Sequence, residues 1–302
     1  MERQAHTLEV RGRRFCLGSR TWLMGVINVT PDSFSDGGAC FETGAAVDHG
    51  LRLACEGADI LDIGGESTRP GSESVPEEEE LRRVVPVVRA LRRQSGVLLS
   101  IDTTKAAVAR SSLDAGADII NDISALRFDP AMARVVAPSG AALVLMHMQG
   151  TPRTMQKSPR YSDLVGEIRS FLQDRIREAE AAGIDRDRVV VDPGIGFGKT
   201  LEHNLTLIDR LADFQELGRP VCVGLSRKAF IGGILGLPPG ERLEGTIAAA
   251  VLSVSRGARI LRVHDVGAVA RAVRVAEAVL DISGEGSSAD SRKRHWKTRY
   301  VC

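Results

Sequence analysis

The sequence predicts an α/β fold with a single domain, a closed (β/α)8 barrel of the TIM type. Eight short runs rich in β-branched residues or leucine alternate with longer segments whose apolar residues recur three and four apart. That alternation is typical of βα units. Most of the runs are continuously apolar, as parallel strands buried on both faces are. The chain has 302 residues, enough for a barrel that typically takes about 250. A doubly wound open sheet is the alternative.

The elements follow in order along the chain. The predicted strands are 23–28, 60–63, 98–102, 119–122, 142–147, 189–192, 221–225 and 260–263. A helix is predicted over 77–93, where Pro76 suits the first turn and four glutamates follow near the positive end of the helix dipole. A second predicted helix spans 162–182, where apolar residues repeat at helical spacing.

Two segments are predicted to lie outside the barrel, which takes residues 20–282. Residues 1–19 contain an alternating pattern around Gly12 and are predicted to form a hairpin that covers the barrel floor. Residues 283–302 are rich in Gly, Ser and basic residues, which predicts a flexible, disordered tail.

Composition excludes several classes of function. The chain is 43% hydrophobic and 26% charged, with a net charge of +1, as in ordinary globular proteins. This charge balance provides no field to attract nucleic acid or a membrane surface, so an anionic ligand would need a local pocket. The five cysteines are scattered without Cys-x-x-Cys spacing, which indicates reduced thiols in the cytoplasm. Neither a signal peptide nor a membrane-spanning run is evident.

Polar residues stand at or just beyond the carboxyl ends of most predicted strands. They are Asn28, Asp102, Asn121, His147, Asp192, Ser226, Arg227, Lys228, Arg262 and His264. Barrel enzymes build their active sites on this face. Long, Gly-rich segments at 29–39 and 64–71 resemble mobile lids. The run 194–200 is neither a phosphate-binding P-loop nor a dinucleotide fingerprint, since Pro193 and Lys199 stand where glycines are needed.

Seven ordered motifs resemble those of dihydropteroate synthases over roughly residues 20–280. The first two are MGVINVTPDSFSDGG at 24–38 and LDIGGESTRPG at 61–71. SIDTTK, GADIINDI, DPGIGFGKT, GLSRKAFIG and RVHDV follow in family order. Thr104 stands where serine is common, and the tail has no counterpart. The resemblance implies condensation of 6-hydroxymethyl-7,8-dihydropterin diphosphate with p-aminobenzoate, which gives 7,8-dihydropteroate and pyrophosphate.

The resemblance also implies roles for individual residues. Pterin would be bound by Asp102, Asn121, Met146, Asp192, Lys228 and Arg262. The diphosphate would be bound by Asn28, Thr68, Arg262 and His264, and p-aminobenzoate by Phe34, Thr68, Arg69, Pro70, Phe197 and Ser226. Asn28 and Asp36 would hold Mg2+. The catalytic set would be Asp36, Asp102, Lys228, Arg262 and His264. A homodimer formed through barrel helices and competition by sulfonamides are further expectations.

Two other functions remain possible from the sequence. Methyltetrahydrofolate-dependent methyltransferases use the same barrel and pterin pocket but bind no diphosphate, so the Arg262/His264 pair and the loop at 34–38 favour the synthase. A non-catalytic pterin-binding paralogue would be expected to have decayed loops, whereas both loop motifs are intact here.

Overall fold

The computed structural model describes residues 4–30, 38–69 and 71–284, without the side chains of residues 38–42 and 281–284. Eight parallel strands form the barrel. They are β3 (Trp22–Asn28), β4 (Ile60–Gly64), β5 (Leu98–Asp102), β6 (Ile119–Asp122), β7 (Ala142–Met146), β8 (Val189–Asp192), β9 (Cys222–Gly224) and β10 (Ile260–Val263). Strands that are consecutive in sequence pair from β3 to β8, and β10 lies between β9 and β3.

A single bridge closes the barrel. Val191 of β8 pairs in parallel with Val221, just before β9, and its amide donates to the Pro220 carbonyl at 3.0 Å. The sheet therefore has no open edge between β8 and β9, which confirms the closed barrel over the doubly wound sheet. β9 is one residue shorter than predicted at each end, and Val221 forms an isolated bridge outside it. β7 ends one residue earlier than predicted, although the His147 amide still donates to the Asp192 carbonyl at 2.9 Å.

Helices surround the barrel. Those of the described residues are α1 (Gly38–Cys55), α2 (Glu77–Gln94), α3 (Ala106–Asp114), α4 (Met132–Ser139), α5 (Leu164–Ala181), α6 (Leu201–Asp209), α7 (Ala229–Leu235), α8 (Leu243–Ser255) and α9 (Val266–Gly284). The two helices predicted explicitly are α2 and α5. Pro76 is the N-cap of α2, with an extended ψ of 146°, rather than a residue of its first turn. Asp163 caps α5 by accepting from the Gly166 amide.

An antiparallel hairpin, β1 (His6–Val10) and β2 (Arg13–Leu17), precedes the barrel. Arg11 and Gly12 form its turn with positive φ angles of 49° and 73°, as a type I′ turn requires. Leu8, Val10 and Leu17 are buried in one cluster with residues from the amino ends of the strands. This packing fills the floor of the barrel, so a ligand must approach from the opposite rim.

Several sequence predictions concern residues that the structure does not describe. These residues include Phe34, Asp36, Pro70 and the predicted tail from residue 285 onward. The last helix continues to Gly284, two residues past the predicted end of the barrel. Within the described residues, no helix is long and apolar enough to cross a membrane.

Candidate active site

A row of polar residues crosses the carboxyl rim of the barrel. Asn28 pairs with Gly64, Gly64 with Asp102, and Asp102 with Asn121 in the strand register. Neighbouring strands lie about 4.8 Å apart, so the polar side chains of this row can reach one ligand. A Cβ at Gly64 would lie 3.5 Å from the Asp102 Cβ, an ordinary van der Waals distance, so these two positions are close neighbours on the rim.

Arg262 of β10 joins two carboxylates inside the rim. Its Nε donates to Asp62 Oδ2 at 2.6 Å, and its Nη2 donates to Asp102 Oδ2 at 2.8 Å. Asn121 Nδ2 also donates to Asp62 Oδ2, at 3.2 Å. Asp62 was missed in the sequence analysis, where it lies inside an apolar strand. The sequence did contain a signal for Asp62, because a carboxylate inside an apolar strand is buried and needs a charged or hydrogen-bonding partner.

Burial dominates the electrostatics of Asp102. Burial raises the pKa of this carboxyl, the charge of Arg262 opposes that rise, and the charges of Asp62, Glu80 and Asp122 add to it. Together these effects place the pKa at about 7. Among the described residues, Oδ1 of Asp102 and Oδ1 of Asp62 are buried without a hydrogen-bond partner. Such oxygens are costly in a folded protein, and they can accept from a ligand that carries N–H groups.

A second group lies around Asp192 at the end of β8. Its Oδ1 accepts from the Gly194 amide at 2.7 Å. Burial raises the pKa of Asp192, opposed first by the charge of Lys228. Burial also lowers the pKa of Lys228 to about 8 against the effect of Asp192. Lys228 Nζ donates to the Ile195 carbonyl and lies 4.6 Å from the centre of the Phe197 ring. The structure thus brings Asp192, Lys228 and Phe197 together.

Lys199 supports this second group and was not assigned to the site from the sequence. Its buried Nζ donates to the Phe197 carbonyl at 2.9 Å and lies 3.1 Å from His147 Nδ1. Burial lowers the pKa of Lys199 far below its ordinary value. A Cβ at Gly194 would lie 1.9 Å from the His147 carbonyl oxygen. Glycine is therefore required where this loop passes over β7.

A third group joins the ends of β9 and β10. Ser226 Oγ lies 3.0 Å from His264 Nδ1 and accepts from the His264 amide at 3.2 Å. Burial lowers the pKa of His264 to about 4, with further contributions from the charges of Arg262, Arg227 and Arg69. The imidazole is therefore neutral near pH 7. Arg69 is exposed, yet its charge acts on this histidine.

Apolar and open surfaces complete the site. Met146 is buried with Ile123, Met148 and Met155, and Phe197 packs against them. A cavity of about 440 Å³ opens at the rim beside Asp102, within the usual range for small-molecule pockets. Of the residues predicted to bind substrates, Asp102 and Thr68 line it.

Comparison with known proteins identifies the family. Residues 24–264 match the family described as pterin binding enzyme. Dihydropteroate synthase of Escherichia coli K12 is 46% identical over 277 residues, which cover 92% of this chain and 95% of the relative. The chain belongs to the dihydropteroate synthase family.

Solved structures of this family agree with the fold. A Xanthomonas albilineans dihydropteroate synthase with 4-aminobenzoic acid is 50% identical, with a TM-score of 0.85 over 92% of this chain and 99% of the other. A Yersinia pestis dihydropteroate synthase in complex with a sulfonamide drug is 46% identical, with a TM-score of 0.86 over 91% and 99%. The synthase prediction is confirmed over the methyltransferase and the non-catalytic paralogue.

The donor set for a metal ion in this family member is sparse. Within the described part of the chain, no three His, Cys, Asp or Glu residues lie close enough together to hold a metal ion. Asn28 offers one half-buried amide oxygen at the rim, whereas Asp62 and Asp102 are engaged by Arg262. These residues fit a Mg2+ ion that takes most of its ligands from substrate phosphate and water, as Mg2+ commonly does.

Proposed function

We propose that this chain is a transferase that condenses 6-hydroxymethyl-7,8-dihydropterin diphosphate with p-aminobenzoate to form 7,8-dihydropteroate and pyrophosphate. The observation that carries this proposal is the Arg262 bridge between the buried carboxylates of Asp62 and Asp102 at the barrel rim. Among the described residues, one oxygen of each carboxylate has no hydrogen-bond partner. A pterin presents several ring N–H groups and acceptors in one plane, which such a mixed set of buried charges can match.

The pterin would lie between the Arg262 bridge and the second group around Asp192. Asp192 would accept two hydrogen bonds from the amino-pyrimidine edge, a donor pair that a carboxylate matches in geometry and charge. Asn121 and Lys228 would satisfy other ring heteroatoms. Met146 and the aliphatic part of Arg262 would contact the faces of the ring. The buried positions of Asp192 and Asn121 support a deep site.

The reaction forms a C–N bond between the amine and the pterin methylene carbon while the C–O bond to the diphosphate breaks. The bonding electrons leave with pyrophosphate, and the amine loses a proton. Positive charge develops on the methylene and ring as the leaving group departs, so the Asp102 carboxylate would stabilise the transition state electrostatically. An anilinic amine is neutral at pH 7, so the step needs no strong base.

The diphosphate would contact Asn28, Thr68, Arg262 and His264. Because His264 Nδ1 lies against the Ser226 hydroxyl, a neutral ring that accepts there would keep Nε2–H as a donor for a phosphate oxygen. Mg2+ would be held by Asn28 and by Asp36, which lies outside the described residues. When bound, the ion supplies charge neutralisation for the departing pyrophosphate.

The p-aminobenzoate pocket would be formed by Thr68, Arg69, Phe197 and Ser226, together with Phe34 and Pro70. Arg69 and Ser226 both act on His264 in the structure, which supports a pocket at this side of the rim. The relatives with bound 4-aminobenzoic acid and a sulfonamide support competition between these compounds for the same pocket here.

We also propose a cytoplasmic homodimer. Large apolar side chains are exposed on three neighbouring helices, at Ile234 and Leu235 of α7, Leu252 of α8, and Val275 and Val279 of α9. A second copy of the chain would bury this apolar surface, which monomers rarely leave exposed when it is contiguous. Cys16 and Cys222 are free thiols, which supports a reducing compartment.

The activity is tested with purified protein, pterin diphosphate, p-aminobenzoate and Mg2+. Pyrophosphate and dihydropteroate should form in equal amounts, and excess EDTA should stop the reaction. Asn28→Ala and Asp36→Ala should lower turnover much more than pterin affinity, as expected for groups that act mainly in the transition state. Folded protein that forms no dihydropteroate would refute the synthase assignment. Full turnover in EDTA would remove the metal from the mechanism.

A further inference from the structure

A partly buried ion cluster beneath the loop between β4 and α2 holds none of the residues assigned to a substrate, although the charge of its Glu80 acts on Asp102. We call this loop, residues 65–76, the second loop, and Lys105, Glu66 and Glu80 the lysine cluster. Lys105 Nζ donates to Glu66 Oε2 and to Glu80 Oε2. The three side chains come from the second loop, from α2 and from the residue that precedes α3.

The lysine cluster is well shielded from solvent. Side-chain exposure is 1% for Glu80, 21% for Lys105 and 23% for Glu66. Burial alone would lower the pKa of Lys105, but its hydrogen bonds to Glu66 and Glu80 outweigh burial and raise it. Lys105 therefore remains charged at neutral pH, and both contacts are charge-assisted hydrogen bonds, which are stronger than neutral ones.

Glu66 connects Lys105 to both ends of the second loop. The same Oε2 atom that accepts from Lys105 also accepts from the Val75 amide at 3.2 Å, so one carboxylate ties the start of the loop to its end. Arg83 of α2 adds a second attachment, since its Nη1 donates to the Gly65 carbonyl at 2.8 Å. The start of the segment that carries Thr68 and Arg69 is thus held in place by these hydrogen bonds.

The approach of the loop to α2 is close at that base. A Cβ at Gly65 would lie 2.7 Å from Val84 Cγ2 and 3.0 Å from Glu80 Cγ. The position of the loop is therefore specified by contacts with the lysine cluster and α2. Glu66, Thr68 and Glu80 also line the rim cavity together with Asp102, which places the lysine cluster beside the substrate-binding region.

We infer that Lys105 is a positioning residue for p-aminobenzoate: through Glu66 it holds the second loop where Thr68 and Arg69 reach the p-aminobenzoate pocket. This inference rests on the proposed function, because it assigns that substrate to the second loop. Within the part of the chain that the structure describes, the Lys105 side chain hydrogen-bonds to Glu66 and Glu80 and to none of the residues assigned to the pterin. A defect at Lys105 should therefore affect the second substrate and spare the pterin.

The test compares steady-state kinetics of Lys105→Met, Lys105→Arg and Glu66→Gln with wild type. Lys105→Met should raise KM for p-aminobenzoate at least about tenfold, as expected when a charged hydrogen-bond donor is lost. Calorimetric affinity for pterin diphosphate should stay within about twofold of wild type, since the pterin contacts are intact. Lys105→Arg, which keeps the charge, should recover most of the loss. Glu66→Gln should shift KM in the same direction and decides the question if Lys105→Met does not fold.

The matched control is Lys157→Met, which removes an exposed lysine from the loop after β7 and should leave both substrates unaffected. Wild-type KM for p-aminobenzoate in Lys105→Met and Glu66→Gln would overturn the inference. A parallel loss of pterin affinity would also overturn it, because it would make Lys105 a general structural residue. Failure of the wild-type enzyme to form dihydropteroate would instead refute the proposed function.

Discussion

The two ends of the barrel satisfy buried charge in different ways. At the floor, buried arginines donate to backbone carbonyls, as Arg188 does to Val136, Ala137 and Ala141 at 2.6–2.9 Å. At the rim, Asp62, Glu80 and Asp102 each keep a buried oxygen without a partner among the described residues. The buried arginine of the floor is thus satisfied by the protein itself, whereas the rim holds carboxylate oxygens that a ligand can satisfy. Ligand-binding groups are concentrated at the rim.

Arg262→Met should break this separation, because Arg262 is the rim residue on which two buried carboxylates depend. Removing one partner of a buried pair costs about 3–5 kcal/mol of unfolding free energy, and dihydropteroate formation should be lost with it. Urea unfolding at pH 7 measures the loss of stability, and wild-type stability of the Arg262→Met variant would contradict the assignment.

Leu8→Ala should affect only the floor. Leu8 is fully buried in the cluster beneath the strands, and truncation of such a leucine costs about 2–5 kcal/mol. Urea unfolding should show this loss while kcat and both KM values at 25 °C remain those of wild type. Changed kinetics in folded protein would show that the floor is coupled to the rim.

Acid should lower the unfolding free energy through one buried histidine at each end of the barrel. Burial and then the charge of Lys199 lower the pKa of His147 at the rim to about 2, and burial and then Arg259 lower that of His6 at the floor to about 4. The unfolded chain binds protons at these positions near pH 6.5, so stability is intact above that pH and falls as pH drops toward 4. Each histidine should contribute at most about 3 kcal/mol to that fall.

The measurement is unfolding free energy from pH 7 to pH 4 for wild type, His147→Gln and His6→Gln. Each substitution should flatten the pH dependence, because it removes a group that the unfolded state protonates. Parallel curves for all three proteins would mean that other groups cause the acid sensitivity.

Much of this fold was predictable because its signals are local. Predicted strands 98–102, 119–122, 189–192 and 260–263 have the bounds of β5, β6, β8 and β10. Their apolar runs are bounded by polar residues that lie at the rim. The turn at Arg11 and Gly12 was likewise predictable, since a glycine between alternating segments is a local hairpin signal.

Contacts between residues that are distant in sequence were not predictable from local patterns. Asp62 and Arg262 are 200 positions apart, and nothing in the sequence of either strand indicates that these two residues form a pair. The lysine cluster joins a loop, a helix start and another βα connection, which periodicity does not relate. Lys199 stands in a family motif and excludes a dinucleotide fingerprint, but the sequence analysis gave it no role in the site. Its burial next to Phe197 depends on the path of the backbone through Gly194.

The central claim is that buried rim residues serve ligand binding rather than stability. It is tested most directly on Asp192→Asn, by measuring unfolding free energy and pterin affinity on the same preparation. Asn can still accept from the Gly194 amide, and it removes a carboxylate whose ionisation burial disfavours. Stability at pH 7 should therefore equal or exceed that of wild type. Pterin affinity should fall by about 2 kcal/mol or more, since a charged bidentate acceptor is replaced by a mismatched donor. Loss of stability together with unchanged pterin affinity would contradict the claim that this rim residue serves the ligand rather than the fold.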